Sequence, residues 1–434
     1  MLGNIGFGVL GLAALLGLAW LFSCNRRQVD WKLVGTGVAL QIAFALLVLV
    51  VPQGRAVFDA LGHGFVLVLG FTREGAGFIF GKLLDIESFG FIFAFQVLPT
   101  IIFFSALMGV LYHLGVMQKI VQVMARGITK VMPVSGAESL SVCANVFVGQ
   151  TEAPLVVRPY IAGMTKSELL ALMIGGMATI AGGVMAAYIG MLGGSDPELQ
   201  QFYAKHLLSA SIMAAPATLV IAKILYPEVE EPATRGTVKV HVEVNTANVI
   251  DAAATGAGDG LRLALNVGAM LLAFIALIAL ANAPLAWLGG IEWFGSGFHI
   301  NDLIGQVYGQ PSVLSIQSLL GILLAPIAAV IGVPWQDALQ VGSLIGQKVV
   351  LNEFVAYSEL VRVQGELTDK GRLIATYALC GFANFSSIAI QIGGIGGLAP
   401  ERRADLARFG LRAVLGGTLA TFMTATIAGV LGGL

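Results

Sequence analysis

Long apolar segments separated by short polar stretches dominate the chain. Eight segments approach or exceed the roughly 20 residues that an α-helix needs to cross a bilayer core. They cover residues 5–22, 33–51, 92–113, 166–192, 204–226, 258–288, 369–394 and 403–432. A ninth segment, 312–332, is apolar but contains Pro326. The pattern predicts an all-α polytopic membrane protein with eight transmembrane helices.

The composition supports this class. Hydrophobic residues make up 57% of the chain and charged residues only 11%, and the mean hydropathy is +0.87. Soluble domains carry about 25% charged residues. The net charge of −1 predicts no basic surface for nucleic acid, and the three cysteines lack a metal-ligand spacing.

Basic residues between the segments predict the orientation. If the N-terminus lies outside, the loops that carry Arg26, Lys239 and Arg402 are all cytoplasmic, and the loop with Asp196 is external. A ninth crossing at 312–332 would move the Arg402 loop outward. We therefore expect that segment to lie in or partly through the membrane without adding a crossing, and both termini to lie outside the cytoplasm.

A short motif occurs twice and brings one carboxylate each time. Residues 149–160 read GQTEAPLVVRPY and contain Glu152, and residues 346–357 read GQKVVLNEFVAY and contain Glu353. Each motif begins with Gly-Gln and ends with Tyr at the same distance. Because both motifs lie in strongly apolar sequence, they predict two related sites within the membrane.

The segments around these motifs, 136–160 and 335–357, are too polar to span and too apolar for free loops. They predict two re-entrant hairpins, since unwound backbone is tolerated at membrane depth where protein covers it. The predicted orientation makes the first hairpin enter from the cytoplasm and the second from outside. Inverted repeats with a site near the midplane are typical of secondary transporters.

This repeat divides the chain into four regions. We expect N-terminal scaffold helices in 1–54, a first repeat half in 55–226, a cytoplasmic loop with a short hairpin in 227–255, and a second half in 256–434. The first half contains an interfacial helix in 55–90, the span 92–113, the hairpin 136–160, an unwound helix in 166–192 and a helix in 204–226. The second half contains a scaffold helix in 258–288, an interfacial helix in 297–310, the hairpin 335–357, an unwound helix in 369–394 and a helix in 403–432.

Two of the predicted spans contain glycine and polar residues at their centres. GGMATI, from Gly175 to Ile180, can be aligned with CGFANF, from Cys380 to Phe385. These residues predict local unwinding, which exposes carbonyl groups to a cation and helix ends to a polar ligand. The alternative is that Ser and Thr bond to their own helix and glycine only allows close packing.

The two glutamates also have two interpretations. Ionisable groups inside a membrane usually serve function. Alternatively, Glu152 and Glu353 pair with a nearby base as part of the scaffold, and Arg158 and Lys348 lie close enough in sequence for this.

The strings ANVFVGQTEAPLVVRPY, GQKVVLNEFVAY and ALCGFANFSSIAIQIGG resemble the motifs of the concentrative nucleoside transporter family in its short bacterial, sodium-coupled form. The resemblance covers nearly the whole chain from the second span onward. It implies a homotrimer of eight-span protomers in the bacterial inner membrane, with an elevator-like movement of a transport domain against a scaffold. It also implies symport of nucleosides of the uridine, cytidine and adenosine class.

The resemblance implies a role for each polar residue of the site. Gln150, Thr151 and Glu152 would face the nucleobase, and Val184 would pack on it. The ribose hydroxyls would bind Glu353, Asn384 and Ser387, with Phe382 lining the pocket. A carboxylate that accepts from a sugar hydroxyl forms a charge-assisted hydrogen bond, worth about 1.5–3 kcal/mol.

A coupling sodium ion needs several oxygen ligands. The resemblance implies the side chains of Asn145 and Thr179 and the main-chain carbonyls of Val148 and Ile180, and it implies no organic cofactor. Proton coupling through Glu152 stays open as an alternative.

Two rival classes can be compared with these residues. A carrier for anions would need an intramembrane arginine or a helix N-terminus at the site, whereas the hairpins carry acid. A membrane-embedded enzyme would need a nucleophile–base pair or a metal constellation, and the sequence offers none at membrane depth.

Overall fold

The computed structural model describes residues 2–236, 246–293, 297–309 and 311–432, and these are almost entirely helical. Two short strands, β1 (Glu292–Trp293) and β2 (Phe298–His299), pair antiparallel. The short hairpin expected in the 227–255 loop falls on residues 237–245, outside the described residues.

The described α-helices divide at the loop after residue 225. The first group is α1 (Leu2–Leu21), α2 (Trp31–Leu49), α3 (Pro52–Phe80), α4 (Ile86–Phe89), α5 (Phe93–Gln96), α6 (Leu98–His113), α7 (Val116–Val131), α8 (Gly136–Asn145), α9 (Arg158–Ile161), α10 (Lys166–Ala178), α11 (Gly182–Gly193) and α12 (Pro197–Leu225). The second is α13 (Val249–Gly289), α14 (Ile300–Tyr308), α15 (Ile316–Val330), α16 (Ala338–Val350), α17 (Glu353–Val363), α18 (Asp369–Leu379), α19 (Phe385–Leu398) and α20 (Arg403–Leu431). Short 3₁₀ helices occupy Arg26–Gln28, Gly81–Leu84, Ala153–Val157, Trp335–Asp337 and Pro400–Arg402.

Seven helical stretches of the described chain are long and apolar enough to cross a membrane. They are Trp31–Leu49, Pro52–Leu84, Phe93–His113, Lys166–Gly193, Pro197–Leu225, Val249–Gly289 and Pro400–Leu431. Six of them coincide with expected spans. The other two expected spans, 5–22 and 369–394, correspond to the shorter apolar helices Ile5–Leu21 and Phe385–Leu398. The protein is therefore a polytopic helical membrane protein, and eight crossings stays a prediction.

The seventh stretch contains α3, which the sequence places at the interface. The helix α3 contacts the start of α12 and also α6, where the rings of Phe65 and Phe104 stack with centroids 4.8 Å apart. Near its start, Asp59 pairs with Lys205 at 2.7 Å. About three turns later, Leu69 and Arg73 border a cavity with Gly194 and other residues of that turn. These contacts place α3 against the start of α12 and against α6, and its interfacial position stays a prediction.

Both predicted unwound spans are interrupted. The first breaks at residues 179–181, between α10 and α11, and the second at 380–384, between α18 and α19. The two breaks lie against each other at Gly381, where an added Cβ would come within 2.7 Å of the Met177 carbonyl oxygen. Only glycine allows this approach without a shift of the backbone.

Each hairpin segment begins or turns at a capped helix end. Ser135 and Glu138 form a capping box at the start of α8, and the Asn352 side chain caps α17 by accepting from the Val355 amide. In the first segment α8 is followed by a turn, a 3₁₀ helix and α9. In the second, α16 and α17 are joined by two residues.

The helices differ greatly in burial. The apolar windows of α10–α11, α12 and α20 are 89, 89 and 83% buried, whereas those of α6 and α13 are only 22% buried. The buried helices thus form an inner bundle around the breaks. The α6–α13 pair lies beside it and touches backbone to backbone, because an added Cβ on Gly109 or Gly256 would lie 2.7 or 2.5 Å from a carbonyl oxygen of the other helix.

Candidate functional site

The carboxylate of Glu353 is buried where the second hairpin turns. Glu353 is the first residue of α17 and is 4% exposed. Its Oε2 accepts a hydrogen bond of 2.8 Å from Asn384 Nδ2, and its Oε1 accepts one of 3.2 Å from the Tyr188 hydroxyl. Through these two neutral donors, the second hairpin is hydrogen-bonded to both interrupted spans.

Asn384 connects the carboxylate to the start of α19. As the N-cap, its Oδ1 accepts from the Ser387 amide at 2.9 Å and from the Ser386 hydroxyl at 2.7 Å. The same side chain therefore orients Glu353 and ends the second break.

A hydrogen-bonded chain continues from Ser387 to the first hairpin. Gln150 Nε2 donates to Ser387 Oγ at 3.0 Å, and Gln150 Oε1 accepts from Gln391 at 3.1 Å. Gln391 also donates to the Met173 carbonyl at 2.9 Å. The side chains from Glu353 to Gln391 thus join the two hairpins where the two breaks cross.

Three consecutive residues of the first motif point to different neighbours. Gln150 and Thr151 face α19, where an added Cβ on Gly394 would lie 2.9 Å from the Thr151 side chain. Glu152 is instead exposed into a cavity of about 330 Å³ beside α6 and α13. In this conformation Glu152 and Glu353 therefore do not share a cavity.

The apolar candidates lie at or next to the two breaks. Val184 lies in the first turn of α11 and is 2% exposed, and the adjacent Gly182 and Gly183 line the same cavity as Glu152. Phe382 lies in the second break and is buried. The two side chains are therefore buried at the two breaks, one on each span.

The expected sodium ligands meet around Gly175 of α10. Asn145 donates to the Ser141 carbonyl at 3.1 Å, while its Oδ1 is buried and accepts no hydrogen bond from the described residues. Thr179 Oγ1 donates to the Gly175 carbonyl at 2.9 Å. A hydroxyl that donates once keeps its oxygen lone pairs as ligands. An unpartnered amide oxygen and a hydroxyl oxygen suit a hard cation.

The main chain brings Val148 and Ile180 into the same region. The Phe147 carbonyl accepts from the Gly182 amide at 2.9 Å, which fixes the tip of the first hairpin to the first break. Val148 and Ile180 flank the two ends of that bond. The main chain therefore brings the residues next to Val148 and Ile180 together, and the role of their carbonyls as ligands stays a prediction.

If Glu152 and Glu353 were structural, each would pair with a nearby base. The described residues contain no such ion pair. Lys348 is completely buried, and its ammonium donates to the Ala378 carbonyl at 2.9 Å and to Thr421 Oγ1 at 3.2 Å. Arg158 is exposed. Neither base is bonded to Glu152 or Glu353 among the described contacts.

Comparison with known proteins identifies the family. The "Na+ dependent nucleoside transporter C-terminus" family model matches residues 206–429. The corresponding N-terminus model matches 10–83, and a "Nucleoside recognition" model matches 94–195. The chain belongs to the sodium-dependent nucleoside transporter family. It is a transporter and not an enzyme, as are its relatives.

Relatives and solved structures extend over nearly the whole chain. The nucleoside permease NupC of Helicobacter pylori is 41% identical, covering 99% of this chain and 98% of its own. The sodium/nucleoside cotransporter 1 of Mus musculus is 40% identical over 97% of this chain and 63% of its own. The structure of CNTnw in an inward-facing substrate-bound state has a TM-score of 0.87 at 44% identity, covering 99% of both chains. An outward-facing variant of CNTnw has a TM-score of 0.89 at 45% identity, covering 100% and 99%.

The cavity beside Glu152 is also lined by residues that the sequence analysis does not single out. They are Tyr112 and His113 of α6 and Asp259 of α13. The Tyr112 hydroxyl is buried without a hydrogen-bond partner in the described chain, a signal that only coordinates can give.

Proposed function

We propose that this protein imports nucleosides together with sodium by elevator-like alternating access. The observation that carries the proposal is the buried chain of side chains from Glu353 through Asn384 and Ser387 to Gln150. It joins two helix–turn–helix segments across two interrupted helices. A polar substrate that enters this chain contacts both halves of the molecule at once.

The substrate would exchange its own hydroxyl and amide groups for these internal bonds. Glu353, Asn384 and Ser387 would take the ribose, with Phe382 beside it. Gln150 and Thr151 would take the base, with Val184 packed on it, and Glu152 would join them from the cavity side. Buried polar groups favour a ligand that replaces each bond and reject one that leaves a carboxylate unpaired.

Sodium would bind Asn145, Thr179 and the carbonyls of Val148 and Ile180. Gln150 follows Val148 by two residues, so an ion that orders this turn also positions the base-binding amide. The unpartnered Asn145 oxygen supports this role. Because binding of the two ligands is linked, each raises the affinity of the other by the same factor.

The proposed assembly is a homotrimer in the bacterial inner membrane with eight crossings, two re-entrant hairpins and both termini outside. The scaffold would contain α6 and α13, and the transport domain the inner bundle and both hairpins. The sequence places α1 and α2 in the scaffold, but in the structure they pack on the inner bundle, where an added Cβ on Gly8 would collide with Val430 of α20 and one on Gly37 with Val220 of α12. The low burial of α6 and α13 supports their contact with lipid or neighbouring protomers.

Substitution of the two glutamates tests the site. Glu353→Gln should weaken ribonucleosides about tenfold or more, and 3′-deoxy analogues much less, because the amide no longer accepts strongly from the 3′-hydroxyl. Glu152→Gln should weaken both ligands alike. Binding to purified protein and sodium-driven uptake into proteoliposomes would measure this.

Equal losses of both ligands with Glu353→Gln would contradict the ribose assignment. Uptake that a proton gradient drives as well as a sodium gradient would favour the alternative, a proton-coupled carrier. Transport of a different small polar solute would favour another elevator-type carrier.

A further inference from the structure

Lys348 is a buried charge that the proposed transport site does not use. Its side chain is completely buried, and the described residues offer it no ion pair. The ammonium instead donates to a main-chain carbonyl, that of Ala378, and to a hydroxyl, that of Thr421. The opposite charge of Glu353 acts on it only through space, without an ion-pair contact. A buried cation of this kind needs a specific source of stabilisation.

The carbonyl belongs to the last turn of α18, immediately before the second break. Carbonyls at a helix C-terminus lack intrahelical partners and carry the negative end of the helix dipole. A positive charge is favourable there. Lys348 thus supplies a cation to the end of the first part of an interrupted helix.

The proposed sodium site in the first half is built from elements of the same kind as those around Lys348. Asn145 lies on the first helix of its hairpin, and Thr179 directly follows α10, the first part of the other interrupted helix. Thr218 of α12 approaches the same point, because an added Cβ on Gly175 would lie 3.7 Å from its methyl carbon and 3.3 Å from Asn145 Nδ2. A hairpin residue, a helix end and a threonine of the next long helix therefore meet.

Compared by helix order and not by the motif alignment, the elements α8, α10 and α12 correspond to α16, α18 and α20. These contribute Lys348, Ala378 and Thr421. Both α12 and α20 are 29 residues long. The difference is in charge. No lysine or arginine in the described part of the chain bonds to Asn145, Thr179 or Thr218, whereas the second half carries its own ammonium.

We propose that the Lys348 ammonium is the internal counterpart of the coupling sodium and takes, in the second repeat, the position that a second ion would occupy. The inference rests on the proposed sodium-coupled transport. The inference extends the proposed function to the stoichiometry. Because the ammonium fills the second ion position, one sodium ion would be transported with each nucleoside. Lys348 is a positioning residue, since it holds the second break without touching the substrate.

The stoichiometry of the wild-type protein gives the first test. In proteoliposomes with set sodium gradients and membrane potentials, the nucleoside gradient at zero net flux gives the number of ions per substrate. One sodium per nucleoside is expected, and two would overturn the inference. Absence of sodium-driven uptake would instead contradict the proposed function itself.

Three variants give the second test. Lys348→Ser opens space and adds an oxygen ligand, so the sodium dependence of uptake should steepen from a Hill slope near one towards two. Lys348→Met should keep the slope near one and weaken nucleoside binding about tenfold at fixed sodium. Lys370→Met removes the same charge from the first turn of α18 and should change neither. A Lys348→Ser slope that stays near one contradicts the inference, and if the Lys348 variants do not fold, the wild-type stoichiometry decides.

Discussion

Thr179 is the C-cap residue of α10, the first part of an interrupted helix. Its hydroxyl donates one hydrogen bond and keeps its oxygen lone pairs. Oγ1 donates to the Gly175 carbonyl, which directs the oxygen lone pairs away from α10. Asn145 uses its amide in the same way and leaves its oxygen free. Donation to the helix and acceptance of a cation are thus compatible in both side chains.

This geometry predicts different outcomes for two substitutions of Thr179. Thr179→Ser keeps the oxygen and should preserve sodium-driven uptake. Thr179→Val keeps the branched shape without the oxygen and should raise the sodium concentration for half-maximal uptake about tenfold. Nucleoside affinity at fixed sodium should fall in parallel. A Val variant with unchanged sodium dependence would exclude Thr179 as a ligand.

At the scale of elements, the site depends on how closely the two helix breaks approach. Gly381 lies against the Met177 carbonyl and the end of α10, so the second break is seated on the first. Gln150 and Gln391 then bridge the same crossing through hydrogen bonds. The breaks are therefore one structural unit, although more than 190 residues separate them in sequence.

Gly381→Ala should disturb this unit. The added Cβ would meet backbone, which cannot move as a flexible side chain can, and overpacking of this kind costs about 1–3 kcal/mol. We expect a lower apparent Tm of the purified protein and reduced uptake. Gly393→Ala is the matched control, because an added Cβ there has no atom within 4 Å. Equal stability of the two variants would argue against a close seating of the breaks.

The sequence predicts the breaks and both hairpin segments because glycine and polar residues interrupt otherwise apolar runs. It does not predict that Gln150 and Glu152 separate. Side-chain directions on an unwound turn follow no fixed period and depend on the neighbours, here α19 for Gln150 and the α6–α13 pair for Glu152. The contribution of Tyr112 is hidden for a similar reason, since it comes from a helix outside both repeated motifs.

At the scale of the whole molecule, the membrane sidedness of every segment after α3 depends on whether α3 crosses the membrane. By length and composition it can cross a membrane, whereas the sequence pattern predicts an interfacial helix. An interfacial α3 leaves the predicted orientation intact. A crossing α3 would reverse the sidedness of each later segment relative to Arg26.

Single-cysteine labelling with an impermeant maleimide distinguishes these topologies. In a background without Cys24, Cys143 and Cys380, we expect labelling from outside at Ser195→Cys and not at Arg26→Cys or Glu401→Cys. These three native positions are exposed, so access depends on sidedness. Labelling of position 401 but not 195 in intact cells would contradict an interfacial α3.

The glycine contacts between α6 and α13 determine which helices can move relative to each other. Gly109 and Gly256 bring main chain against main chain, so no rotamer change can absorb relative sliding of the two helices. We expect this pair to stay stiff during the microsecond-to-millisecond motions of transport. The proposed elevator-like displacement would then occur at the other boundary of the pair, along the cavity that holds Glu152. There, side chains and open space replace backbone contact.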